Sequence, residues 1–135
     1  MDKYITGMSA LNITGADWHL SGVIESDNWS VSGVDYADTT ELFGLSGLQD
    51  CTNFFKYLGK KVEFVKCASG ARAIADMLYH NIFILKHYPE HVIFYDYLLE
   101  EKDIEEFLGY FDILKKHAGK KEFNMLLRWK DAFIR

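Results

Sequence analysis

Apolar positions follow two different periods along the chain, and the change falls near Leu45. Before it, Trp18-His19-Leu20-Ser21-Gly22-Val23 and Trp29-Ser30-Val31-Ser32-Gly33-Val34 are short runs suited to strands. Ser26-Asp27-Asn28 between them is turn chemistry, so the pattern predicts a hairpin, with Tyr4-Ile5-Thr6 as a third strand. After Leu45 the spacing becomes three-and-four. Ser46 is placed to cap a helix that presents Leu48, Cys51, Thr52, Phe55 and Leu58, with Gly59 just beyond it. Val62-Glu63-Phe64-Val65 reads as a strand, and Ser69 as the cap of a helix carrying Ala71, Ile74, Ala75, Leu78 and Tyr79. The runs 82–85 and 92–99 fit a buried strand or a buried helix equally, and Pro89 separates them.

The last third has the plainest pattern. Asp103 and Glu106 have the spacing of a capping box, ahead of an apolar stripe of Ile104, Phe107, Leu108, Phe111 and Leu114. Lys115, Lys116 and His117 occupy the last turn, where the helix dipole favours cations, and Gly119 is placed for a left-handed cap. A final helix sets Phe123, Leu126, Leu127, Phe133 and Ile134 on one side, so the two form an αα-hairpin. The predicted fold is α+β: an N-terminal β-hairpin or small antiparallel sheet packed on about four helices, ending in that hairpin. It forms a single domain over 1–135, with an acidic, Gly/Ser-rich β part (1–45) and a mainly helical part (46–135).

Length and composition fit one core: 135 residues, 49% hydrophobic and 16% aromatic, which excludes disordered and low-complexity classes. The densest apolar stretch, 82–99, is broken by Lys86, His87, Pro89, Glu90, His91 and Asp96, well short of the ~20 apolar residues a membrane span needs. The opening residues Met1-Asp2-Lys3-Tyr4 lack the pattern of a signal peptide. Cys51 and Cys67 are too few for a disulfide framework or a zinc site, and read as reduced thiols of a cytoplasmic protein.

Charge divides the chain more sharply. Residues 1–50 hold eight acids (Asp2, Asp17, Glu25, Asp27, Asp35, Asp38, Glu41, Asp50) against Lys3 alone, whereas the whole chain carries only −5. Acids beside Trp18, Trp29, Tyr36 and Phe43 suit docking to a basic protein, because complementary charge steers encounter and rings anchor the contact. The expected partner-binding set is Asp17, Trp18, Asp27, Trp29, Asp35, Tyr36, Asp38 and Glu41. The partner would be a basic protein such as a nucleic-acid-directed enzyme or toxin; no membrane is implied, and a homo-oligomer is compatible.

Catalytic chemistry is sparsely written. Asp17 and His19 share one face of a strand, so the carboxylate could orient the imidazole; this pair carries the alternative of a small hydrolase or transferase. The chain lacks a nucleophile elbow, a phosphate loop and a dinucleotide fingerprint, and no cofactor is expected. His80, His87 and His91 invite a metal, but Pro89 spoils the one-face geometry of an i, i+4 pair, so none is expected. A second alternative is nucleic-acid binding through Lys115, Lys116, Lys120 and Lys121, which the overall acidity (pI near 5.5) disfavours.

Tyr4-Ile5-Thr6-Gly7, Ala10-Leu11-Asn12 and Thr14-Gly15-Ala16-Asp17-Trp18-His19 together resemble the opening of a family of small uncharacterised bacterial proteins. Gly70-Ala71-Arg72-Ala73 and Trp129-Lys130 are similar at further positions. The spacer between Asn12 and Thr14 is shorter than the family's, and Ala16 is an insertion before Asp17. The resemblance implies a bacterial or mobile-element origin beside toxin–antitoxin or abortive-infection genes, and carries over no catalytic residue. The function expected on these grounds is that of a non-enzymatic, antitoxin-like, immunity or phage-encoded inhibitor protein.

Overall fold

The structure, a computed structural model, describes residues 4–7, 10–11, 39–52, 66–89, 92 and 100–133. Within them a small antiparallel sheet packs against helices, and two long helices end the chain, as an α+β reading requires. The elements are α1 (Thr40–Phe43), β1 (Leu48–Asp50), β2 (Lys66–Ala68), α2 (Gly70–Tyr79), α3 (Glu101–His117) and α4 (Lys120–Phe133). The π-turn His80–Ile84 continues α2 without a break.

β1 pairs with β2 through Leu48↔Ala68, Gln49↔Cys67 and Asp50↔Lys66. On the other edge of β2, Ile5 makes a parallel bridge to Cys67, with its N–H donating to Lys66 O (3.0 Å) and its carbonyl accepting from Ala68 N (2.9 Å). The strand contact expected of Tyr4–Thr6 is thus present. The hairpin expected over 18–34 lies outside the described residues.

Ser69 caps α2 as its sequence implies: its Oγ accepts from Arg72 N at 3.2 Å. Ala71, Ile74, Ala75 and Leu78 are buried, and α2 packs on α3, whose Phe107, Phe111 and Leu114 face inward. Trp129 of α4 closes this core, with its ring 5.6 Å from Phe107 and its indole N–H donating to Val92 O at 2.9 Å.

Several local expectations are corrected. Leu48–Asp50 is strand and not the first turn of a helix capped by Ser46, because its groups are needed by β2. The observed strand is 66–68, and the predicted strand 62–65 lies outside the described residues. Of the run 82–85, Ile82–Ile84 are helical and Leu85 is the cap that ends the turn, which resolves the ambiguity. Helix α3 begins at Glu101 behind Glu100, so Asp103 sits in the first turn and makes no cap; Glu106 is engaged elsewhere. Ala118 (φ −80°, ψ 138°), not a left-handed Gly119, ends α3. Phe123 and Leu127 are exposed at 37% each, while Trp129 takes the core position.

The two cysteines are also corrected. Cys51 and Cys67 form a disulfide, with Cα atoms 6.1 Å apart, inside the usual range. The β1–β2 register causes the meeting: Cys67 stands opposite Gln49, and Cys51 lies two residues further along the same face. Among the described residues, no helix is long and apolar enough to cross a membrane.

Candidate functional site

Among the described residues, the charged side chains buried deepest are Arg72 and Asp76, one turn apart on α2 and both without exposed surface. A charge in that position must be matched group by group, because an unpaired one costs several kcal/mol. The guanidinium is fully matched. Its Nε donates to Asp76 Oδ1 (3.3 Å), Nη1 to the carbonyls of Gly44 (3.0 Å) and Ser46 (2.6 Å), and Nη2 to Tyr4 Oη (3.1 Å) and Thr39 Oγ1 (3.0 Å). Those are five acceptors for the five N–H groups an arginine carries. The Phe43 ring lies 4.9 Å and the Tyr4 ring 5.2 Å from its central carbon, adding cation–π contact.

Asp76 is matched from the other side. Besides Arg72 it accepts from Thr39 Oγ1 (2.5 Å) on Oδ1, and from Tyr4 Oη (2.7 Å) and Thr6 Oγ1 (2.8 Å) on Oδ2. Burial pushes its carboxyl above the usual range, while Arg72 and the three hydroxyls draw it back. Burial beside that carboxylate raises the Tyr4 phenol to about 12, so it stays a donor. Every polar atom of the cluster is spent on a neighbour. The arrangement ties the Tyr4–Thr6 segment, residues 39–46 and α2 into one unit; it is a clamp, its donors and acceptors turned on one another.

A second chain of hydrogen bonds continues outward. Ser46 Oγ donates to Tyr110 Oη (2.9 Å), Tyr110 Oη donates to Glu106 Oε2 (2.8 Å), and Ser69 Oγ donates to the same oxygen (2.7 Å). Burial, chiefly, lifts the Tyr110 phenol to about 12. Gly47 fits beneath it with φ +77°, where a Cβ would stand 2.5 Å from Tyr110 Oη. Positive φ is what the third position of the turn Leu45–Leu48 requires, and Leu48 N closes that turn on Leu45 O at 3.2 Å.

The clamp grips the carbonyls on both sides of Leu45, yet the Leu45 side chain is 68% exposed. A large apolar group is thereby held out to solvent on a backbone that cannot move independently of the core. Glu41 on α1 and Asp50 at the end of β1 are exposed in the same segment. Of the residues expected to bind a partner, Glu41 is the one described; Asp17, Trp18, Asp27, Trp29, Asp35, Tyr36 and Asp38 lie outside, as does His19. Leu45, Arg72 and Asp76 were missed by pattern reading. The signal was there for the pair: α2 is otherwise apolar nearly all round, so an i, i+4 Arg–Asp pair on it has little choice but burial.

Comparison with known proteins found no matching family model, curated protein or solved structure.

Proposed function

We propose that the chain is a non-enzymatic protein-binding module that docks a basic partner protein through its acidic N-terminal third, in the manner of an antitoxin-like, immunity or phage-encoded inhibitor protein. The observation that carries this reading is the clamped turn, which holds the exposed Leu45 in a segment where Glu41 is exposed as well. An apolar anchor already fixed in place loses little freedom on binding, which is how preorganisation raises affinity. The surplus of acids over Lys3 in residues 1–50 supplies long-range attraction to a cationic surface. The toxin–antitoxin setting implied by the resemblance belongs to the same proposal.

Two variants test it: Leu45→Ala, and a charge reversal replacing Asp27, Asp35, Asp38 and Glu41 by Lys. The native chain should retain one stoichiometric basic protein from its host, and both variants should lose it while keeping the native circular dichroism. Retention by the charge-reversed chain refutes the surface. Cytoplasmic residence is part of the proposal, and the Cys51–Cys67 bond is its direct check, since disulfides are rare in the reducing cytosol. Thiol trapping in intact cells makes that check: a pair found oxidised throughout, as the structure has it, places the protein in an oxidising compartment and refutes cytoplasmic residence.

A further inference from the structure

On one side of the α3–α4 pair lies an open groove of about 350 Å³, lined by Asp112, Lys115 and Lys116 of α3 and Phe123 of α4. Lys115 and Lys116 of α3 bring ammonium groups to it, and Lys130 of α4 reaches the same buried ring that Lys115 covers. Lys115 Nζ is 5.5 Å from the centre of the buried Phe111 ring, and Lys130 Nζ is 5.8 Å from the same ring. Asp112 binds Lys115 at 3.1 Å, but its carboxylate is 65% exposed, and such surface pairs hold a lysine weakly. Lys116 is exposed and makes no ion pair among the described residues. Lys120 and Lys121 stand exposed in the first turn of α4, the end where the helix dipole disfavours cations. Phe123, in the groove wall, shows 37% of its surface to solvent.

We propose that this groove binds a single strand of nucleic acid, with Lys115, Lys116 and Lys130 on successive phosphates and Phe123 as the platform on which one base stacks. Charge complementarity selects a polyanion, and the open ring set among ammonium groups selects one that carries flat bases. An acidic peptide would satisfy the lysines but make no use of a stacking face. The chain's overall acidity does not oppose this. The whole-chain value averages over unlike parts: residues 113–135 alone hold seven bases against Glu122 and Asp131, a local surplus of positive charge. The proposal is independent of the N-terminal docking surface, and either can fail without the other.

The test is fluorescence anisotropy of a labelled, unstructured oligothymidylate titrated with the full chain over a range of salt. Three phosphate contacts predict that log affinity falls against log salt with a slope of about −2. Phe123→Ala should weaken binding about fivefold or more with the slope unchanged, and Phe123→Trp should retain it. Lys116→Glu with Lys130→Glu should weaken binding and flatten the slope. Circular dichroism and the thermal transition check that each variant is folded. No binding at the lowest salt, or Phe123→Ala binding as the native chain does, overturns the proposal. So does polyglutamate competing as well as the oligonucleotide, which would assign the groove to an acidic protein.

Discussion

Removing Asp76 and removing Arg72 should damage the protein in different ways, although the two form one ion pair. In Asp76→Ala the guanidinium remains buried, and the hydroxyls of Tyr4, Thr6 and Thr39 lose their acceptor. Stripping one partner from a buried pair costs about 3–5 kcal/mol, a large share of the roughly 5–15 kcal/mol that holds a domain together. For a chain this size that is a fall in Tm of about 10–18 °C. Arginine cannot shed its proton, so in Asp76→Ala the buried cation stays unmatched at every pH. Arg72→Met instead leaves a carboxyl that can neutralise itself. Its folded pKa, already raised by burial, rises further without the cation. A group whose pKa is raised by folding contributes most below its unfolded value and progressively less as pH climbs through the folded one. The deficit of Arg72→Met relative to the native chain should therefore be small near pH 4 and grow toward neutrality. Arg72→Met with Asp76→Leu should recover most of the loss. Urea unfolding followed by tryptophan fluorescence across that pH range measures all three. Parallel pH profiles for the two single variants, or a cost for Asp76→Ala below about 1 kcal/mol, would refute the clamp.

Gly47→Ala should cost about 2–4 kcal/mol, because its Cβ meets Tyr110 Oη at 2.5 Å and Arg72 Cβ at 2.9 Å on a backbone with φ +77°. Gly44→Ala, with φ +64° but no atom within 4 Å, should lose only about 1–2 kcal/mol in the same unfolding assay. Tyr4 and Tyr110 keep their protons to about pH 12, whereas unfolded tyrosines ionise near 10. Their contribution, roughly 2–3 kcal/mol each, is complete below pH 10 and is lost between 10 and 12. Tyrosinate absorbance should rise together with unfolding, and Tyr4→Phe should reduce the pH slope. Reducing Cys51–Cys67, which spans 16 residues of sequence, should remove about 3 kcal/mol. An unchanged denaturation midpoint in reductant would contradict the bond's structural role.

Sequence pattern reached furthest where the energetics are local. The cap at Ser69, the stripe through Phe107, Phe111 and Leu114, and the two-helix C-terminus each depend on residues within a few turns of one another. Failures cluster where a distant partner decides. Leu48–Asp50 has helical spacing, yet its backbone is satisfied by Lys66–Ala68. Glu106 has the spacing of a capping residue, but Ser69 and Tyr110 offer it two hydroxyls. Phe123 and Leu127 continue the apolar stripe by spacing; Trp129, larger and able to bond Val92 O, holds the interior instead.

The clamp was the least legible feature for a related reason. Hydropathy treats Arg72 and Asp76 as surface residues, and only the closing geometry reveals that Tyr4, Thr39, Gly44 and Ser46 come from tens of residues away to meet them. That same geometry links interior to surface. The groups that neutralise Arg72 include the carbonyls flanking Leu45, so the interior satisfies its charge with the backbone that presents the exposed leucine. An apolar residue at the clamp would stabilise the fold about as well if stability were all that was required. An arginine adds direction: its planar fork fixes two carbonyls at once and sets the orientation of the turn between them. Arg72→Met with Asp76→Leu should therefore keep the fold while loosening the Leu45 turn, seen as faster amide exchange at 45–48. Retained stability together with lost partner binding would separate the positioning role of the clamp from its structural one.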